Sequence, residues 1–256
     1  MGIRMVATDL DRTLLRKDRT LSEYTVAVFR RCREKGLKIA FATSRPMSAV
    51  VNFDFCTRIA PDAATYHGGA AVYAGGVRVE RNGIPPETVH RILSSAYREM
   101  GVKLAVEVDN KFYGNFVPLD MWPNIEVNLI DFDDLPMIPA DKIVFTDLRP
   151  AVIESISRIL PEGLYLETSE DKIGMIMNRN ATKAKGVARI AEYFGIALSD
   201  IVAFGDDYND IGMLRECGVG VAVANGIDEA KAAADEVCED NDSDGVAKWL
   251  DKNILY

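Results

Sequence analysis

Asp9 and Asp11 stand two residues apart where a short apolar run, Met5-Val6-Ala7-Thr8, gives way to Leu10 and Arg12-Thr13-Leu14-Leu15. A run of β-formers of this length reads as a buried parallel strand. Open α/β sheets place ligands at the carboxyl ends of such strands. At that position Asp9 could attack an electrophile or bind a cation, and Asp11 could trade protons. A solvated turn or a helix cap is the plain alternative for an Asp-x-Asp pair.

The other apolar runs end in the same way. Leu37–Ala42 delivers Thr43 and Ser44, Ile201–Phe204 delivers Asp206 with Asn209 and Asp210, and Val219–Val223 delivers Asn225. In a parallel sheet these ends share one edge. Four carboxylates brought together dry would repel one another, and a hard dication resolves the conflict. Carboxylate, carbonyl and water oxygens suit Mg²⁺. With two histidines in the chain, His67 and His90, neither a zinc cluster nor a Ser-His-Asp triad is expected.

The intervening sequence supplies the elements that must position these ends. Ser22 caps a helix over 23–35 that stops at Gly36, completing a right-handed βαβ unit with the strand at 37–42. Pro46 opens a further helix through about Phe53. Ala63–Tyr66 is a third strand, and a small hairpin turns at Gly75-Gly76. From Pro85 to Met177 the pattern changes. A helix at 87–100 is followed by a hairpin around Asp109-Asn110, a Pro-rich stretch with Pro118, Pro123, Pro136 and Pro139, a strand at 142–146, a helix at 150–160 and strands near 165–168 and 173–177. Helical spacing returns at 183–194, and further helices run from Asp210 to Cys217, over 227–234 and over 245–252, with a short strand at 236–238 between the last two. The expectation is a doubly wound, parallel-sheet, Rossmann-like α/β core over 1–84 and 178–256, with an α+β domain inserted at 85–177.

Composition narrows the classes of partner. The chain has 256 residues, 48% of them hydrophobic, enough for a large core plus a smaller domain. A net charge of −9 without a basic run argues against nucleic acid and anionic membrane. No apolar run approaches ~20 residues. Cys32, Cys56, Cys217 and Cys238 are scattered and read as reduced thiols. The expected setting is the cytoplasm, as a monomer or small homo-oligomer.

Four stretches together carry a resemblance: Asp9-Leu10-Asp11-x-Thr13-Leu14-Leu15, then Ala42-Thr43-Ser44-Arg45-Pro46, then a lysine before an amphipathic helix, then Gly205-Asp206-Asp207-x-Asn209-Asp210-x-x-Met213-Leu214. In order and spacing they resemble the four motifs of the haloacid dehalogenase-like superfamily. The insert between the second and third resembles its Cof-type phosphatase branch with a type IIB cap. The tail Asp242-x-Asp244-Gly245-Val246-Ala247 also resembles that branch.

The resemblance implies Mg²⁺-dependent hydrolysis of a small phosphomonoester, with a sugar phosphate as the substrate class. Asp9 would take the phosphoryl group as an aspartyl phosphate. Asp11 would protonate the leaving group, activate water and offer its backbone carbonyl to the metal. Thr43 would bind phosphoryl oxygens, and Asp206 and Asp210 would serve the metal. Counting back from Gly195 assigns the lysine role to Lys183 over Lys185. Ser44, Arg45, Asn209 and Asn225 complete the substrate-binding set. Arg45 could instead sit exposed and Asn225 could instead cap a helix. A phosphomutase using the same aspartyl phosphate and a non-enzymatic phospho-aspartate regulator are the alternatives.

The chain departs from the family pattern at Arg12, Ser44 and Asp207, where small residues are usual. Arg12 is strained if its turn needs φ > 0. Asp207 is expected to point away from the metal. His67 reads as loop scaffold, and Tyr113, Trp122, Met175 and Met177 read as core of the insert.

Overall fold

The computed structural model describes residues 2–116, 127–130, 132–169 and 173–256, and the expectations for Pro118, Trp122 and Pro123 lie outside them. In chain order the elements are β1 (Met5–Thr8), α1 (Glu23–Glu34), β2 (Lys38–Ala42), α2 (Ser48–Val51), α3 (Asp54–Ile59), β3 (Ala63–Tyr66), β4 (Ala71–Ala74) and β5 (Val77–Arg81). Then come α4 (Pro86–Leu93), β6 (Leu104–Val108), β7 (Lys111–Gly114), β8 (Val127–Leu129), β9 (Lys142–Phe145), α5 (Pro150–Ile159), β10 (Leu164–Ser169) and β11 (Ile173–Asn178). The chain finishes with α6 (Lys183–Phe194), β12 (Ile201–Gly205), α7 (Ile211–Glu216), β13 (Val219–Val223), α8 (Asp228–Ala233), β14 (Glu236–Cys238) and α9 (Gly245–Leu250). It divides into two compact units, Met1–Glu80 with Thr182–Tyr256, and Arg81–Ala181.

The first unit is built on a sheet of order β14-β13-β12-β1-β2-β3-β4-β5. It is parallel from β14 to β3, with β4 antiparallel to β3. Helices cover both faces, and the fold class is the doubly wound α/β fold expected. The two faces differ in residue size, because successive strand side chains point to opposite sides. Val6, Ile39, Phe41, Val202 and Phe204 pack with Phe29 of α1 and Trp249 of α9. The alternate positions Ala7, Ala40, Ala42 and Ala203 face Ala184, Val187 and Ile190 of α6 and Met213 of α7. Small strand residues let α6 lie close to the sheet. A Cβ added at Gly186 would stand 2.7 Å from Thr65 Cβ.

In the first unit the helix after β2 differs from expectation. The helix expected from Pro46 through about Phe53 is the short α2, and a further helix that was not expected, α3, follows it. Asn52 Nδ2 donates back to the Ser48 carbonyl, and Phe53 is extended, at φ −101° and ψ 145°. Phe53 stacks on Phe55 instead, with ring centroids 5.8 Å apart.

The second unit carries a sheet of order β10-β11-β9-β6-β7-β8, antiparallel except where β8 lies parallel to β7. Asp109 and Asn110 both have left-handed φ, 51° and 61°, as the tight hairpin between β6 and β7 requires. Ile92, Leu104, Val106, Ile143, Phe145, Ile156 and Ile176 form its core. The expected helix at 87–100 is shorter, since Ser94–Glu99 continues as a wider π-helical turn. Tyr113, Met175 and Met177 are partly buried, and the first two pack against the unit's apolar clusters.

Gly186→Ala tests the close seating of α6. Alanine favours a helix by up to ~1 kcal/mol, but overpacking costs ~1–3 kcal/mol. Denaturant unfolding is expected to show a net loss. A stabilised variant would mean that α6 does not sit tightly on β3.

Candidate active site

The end of β1 carries Asp9, whose backbone N–H donates to the Phe204 carbonyl at 3.0 Å, locking it in line with β12. Asp206 follows β12 directly. Asp210 sits in the turn beyond and lies over Gly205, where a Cβ would stand 2.6 Å from Asp210 Cγ. Lys183 is the first residue of α6, whose N-cap Thr182 accepts from the Lys185 N–H. Lys183 Nζ donates to Asp9 Oδ1 and to Asp210 Oδ1, each at 2.7 Å. Asp210 Oδ2 accepts the N–H groups of Asp206 at 3.0 Å and Asp207 at 3.1 Å. Thr13 Oγ1 donates to Asp206 Oδ1 at 2.9 Å.

Asp9, Asp206 and Asp210 are all buried and offer carboxylate oxygens within 4.8 Å of one another. Burial pushes the Asp9 carboxyl up to about 8, against the lowering pull of Lys183, with Asp210 and Asp206 adding to the rise. Burial likewise pushes Asp206 up to about 6, in spite of the Thr13 bond. Burial would lower the Lys183 ammonium, but Asp9 and Asp210 outweigh it and hold it above the ordinary lysine range. One ammonium does not neutralise three buried carboxylates. The all-oxygen donor set fits a hard dication.

The end of β2 contributes the second wall. Thr43 is buried, its N–H donates to the Thr65 carbonyl at 3.0 Å, and its Oγ1 accepts the Arg45 N–H at 3.1 Å. Ser44 Oγ accepts from Asn209 Nδ2 at 3.0 Å, joining two of the expected substrate contacts. His67 turns at φ 51°; its N–H donates to the Arg45 carbonyl, and Gly68 N–H to the Thr43 carbonyl. It is loop scaffold in this arrangement.

Four residues stand differently from their expected roles or needed the structure to place them. Arg45 is not exposed: its Nε and Nη2 donate to both oxygens of Asp11, at 2.6 and 2.5 Å. The Ala49 carbonyl accepts from its Nη1. Asn225 is not a helix cap. Its Nδ2 donates to the Arg12 carbonyl at 2.7 Å, and its Oδ1 accepts the Asn241 N–H at 2.9 Å. Asp207 is turned away from the cluster, its Oδ1 accepting the Tyr208 N–H at 2.7 Å. The Asp11 side chain lies outside the three-carboxylate cluster, so its expected metal role rests on its backbone carbonyl alone.

Two residues had no assigned role. Thr13 lies within the first motif, and a hydroxyl two positions past Asp11 was the available signal. Asn241 is buried and donates to the Leu15 carbonyl at 2.8 Å, with no sequence signal to mark it.

A family model described as haloacid dehalogenase-like hydrolase matches residues 6–250. The chain belongs to the haloacid dehalogenase-like hydrolases and is an enzyme of their phosphatase class. It is 26% identical over 267 aligned residues to the 5-amino-6-(5-phospho-D-ribitylamino)uracil phosphatase YitU of Bacillus subtilis, covering 96% of each chain. A solved haloacid dehalogenase-like hydrolase from Bacteroides thetaiotaomicron superposes with a TM-score of 0.85 at 20% identity, over 98% of this chain and 99% of that one. The subclass IIB sugar phosphatase BT4131 superposes with a TM-score of 0.76 at 24% identity, over 97% and 98% of the two chains. Among the described residues no helix is long and apolar enough to cross a membrane.

The upward shifts at Asp9 and Asp206 give a signed pH prediction. Without a cation the folded chain keeps protons that the unfolded chain releases near pH 4. This contribution to stability is complete below that pH and is lost as pH rises through about 6 and then about 8. A divalent cation bound at these carboxylates would replace those protons. The rise in melting temperature on saturating with cation is therefore expected to grow between pH ~5 and ~8. A rise that stays flat across that range would place the cation elsewhere.

Proposed function

We propose that the protein is a Mg²⁺-dependent phosphomonoester hydrolase acting on a small phosphorylated metabolite, a sugar phosphate by class, through an aspartyl phosphate on Asp9. The observation that carries this reading is the buried ammonium of Lys183 shared between Asp9 and Asp210, with Asp206 completing the acidic cluster. Lys183 pins one oxygen of Asp9 and so orients the carboxylate for in-line attack.

In the first half-reaction an Asp9 oxygen bonds to phosphorus and the bond to the leaving oxygen breaks. Asp11, protonated, gives its proton to that oxygen. In the second half-reaction water attacks phosphorus, the Asp9–phosphoryl bond breaks, and Asp11 takes the proton from water. The sum is ester plus water to alcohol plus phosphate, and both aspartates return to their starting state.

Thr43 and the Ser44–Asn209 pair would hydrogen-bond phosphoryl oxygens in this reading. Asp9, Asp206, Asp210 and the Asp11 carbonyl would hold Mg²⁺. When bound there, it supplies charge neutralisation for the phosphoryl group. The second unit, Arg81–Ala181, is in this reading the family's cap domain. The names of the relatives support a phosphorylated small molecule as substrate.

Phosphate release from a chromogenic aryl phosphate and a panel of sugar phosphates tests this, with 5-amino-6-(5-phospho-D-ribitylamino)uracil included. Release is expected to need Mg²⁺, to stop with chelator, and to fall by roughly a thousandfold or more in Asp9→Asn. An isomerised sugar phosphate with no free phosphate would make the chain a mutase. Labelling of Asp9 without turnover would make it a regulator.

A further inference from the structure

Lys183, Arg45 and Arg12 each pair with a carboxylate of the proposed site, and the first two are committed. Lys183 is buried and bonded to Asp9 and Asp210. Arg45 is closed on both oxygens of Asp11. The guanidinium of Arg12 is left over. Its contact among the described residues is a loose ion pair, Nε to Asp206 Oδ2 at 4.0 Å, and its side chain is 66% exposed.

The backbone at this position is also unusual. Arg12 has φ 61°, in the left-handed region that favours glycine, and it stands where the resembling family has a small residue. The turn is held from outside. Asn225 bonds the Arg12 carbonyl, and Asn241 bonds Asn225. Strain held in place by its surroundings is a mark of functional positions. Here it presents an uncommitted planar fork, matched to carboxylate or phosphate, beside the proposed phosphoryl site.

We propose that Arg12 is a specificity-determining residue that binds a second anionic group on the substrate, a carboxylate or a second phosphate. The chain then prefers phosphomonoesters that carry one. This rests on the phosphatase reading above. In the reading above, the transferred phosphoryl group takes Thr43, which is 1% exposed, and the Ser44–Asn209 pair as partners. The outward guanidinium of Arg12 is left for charge elsewhere on the molecule.

The test compares kcat/KM for matched pairs: phosphoglycolate against ethyl phosphate, and a hexose bisphosphate against its monophosphate. The native chain, Arg12→Asn and Arg12→Lys are measured side by side. Asparagine enters the left-handed region readily, so Arg12→Asn removes the charge and keeps the turn. The native preference for the acid-bearing member is expected to fall about tenfold in Arg12→Asn, chiefly through KM, and to return in part in Arg12→Lys.

Raising salt from ~0.05 to ~0.5 M is expected to erode the native preference, because the group is exposed. This series carries the test should Arg12→Asn fail to fold. A preference unchanged in Arg12→Asn, or absent in the native chain, overturns the proposal. Equal loss on both members of a pair also overturns it and makes Arg12 a ligand of the transferred phosphoryl group. A native chain that hydrolyses none of the four compounds, nor the aryl phosphate, refutes the phosphatase reading and this proposal with it.

Discussion

The buried Lys183 ammonium, shared by Asp9 and Asp210, is the interaction on which the first unit's design depends. Local forces oppose its position. It stands in the first turn of α6, where the helix dipole disfavours a cation, and it is buried, which disfavours charge. Two carboxylates at 2.7 Å outweigh both effects. Without the lysine those carboxylates would face each other dry. The arrangement therefore holds as a set, and it constrains three segments far apart in the chain: the end of β1, the start of α6 and the turn after β12.

The rest of the unit meets that constraint by controlling approach distances. Alanines on one side of β1, β2 and β12, with Gly186 on α6, let the helix settle low enough for its first residue to reach the sheet edge. The opposite face carries Phe41, Phe204 and Trp249 and supplies much of the apolar burial. The loop after β1 has little regular structure of its own and is fastened by the C-terminal segment. Asn241 bonds the Leu15 carbonyl, Asp242 accepts the Lys17 N–H, and Asp244 pairs with Arg16 at 2.9 Å. The first motif thus depends on residues more than two hundred positions away.

This division explains what could be read from the chain. Strand ends were legible because buried parallel strands are continuous apolar runs, and the residue after each run is visible directly. α1 and α6 were legible because Ser22, Gly36 and Gly195 punctuate them. The hairpin at Asp109-Asn110 was legible because the turn demands residues that tolerate positive φ. Pairings between loops were not. Nothing at Arg45 shows that its fork closes on Asp11, and nothing at Asn225 shows that it fastens Arg12, because both are set by tertiary distance. The restart of the chain as α3 was hidden because the extended Phe53 and its stack on Phe55 act through side-chain geometry. β8 was hidden because a strand of three residues, paired parallel to its neighbour, has no period to detect.

The two ion pairs of the site also differ in kind, and the difference matters for turnover. Lys183 with its two carboxylates is buried throughout, so separating them would strand charges without water. The Arg45–Asp11 pair is open to solvent, with the Asp11 side chain 48% exposed and that of Arg45 14% exposed. Pairs in contact with water contribute modestly, on the order of 1 kcal/mol or less, since water replaces the bonds as they break. Both oxygens of Asp11 are engaged in this structure, and the proposed proton transfer to a leaving oxygen would require at least one to be given up. A solvent-exposed clamp permits that exchange at small cost. The Ala49 contact and the Phe55 ring, 5.6 Å from the guanidinium carbon, hold Arg45 independently of Asp11. On the proposed roles, Asp9 is thus held by bonds that do not open, and Asp11 by bonds that do.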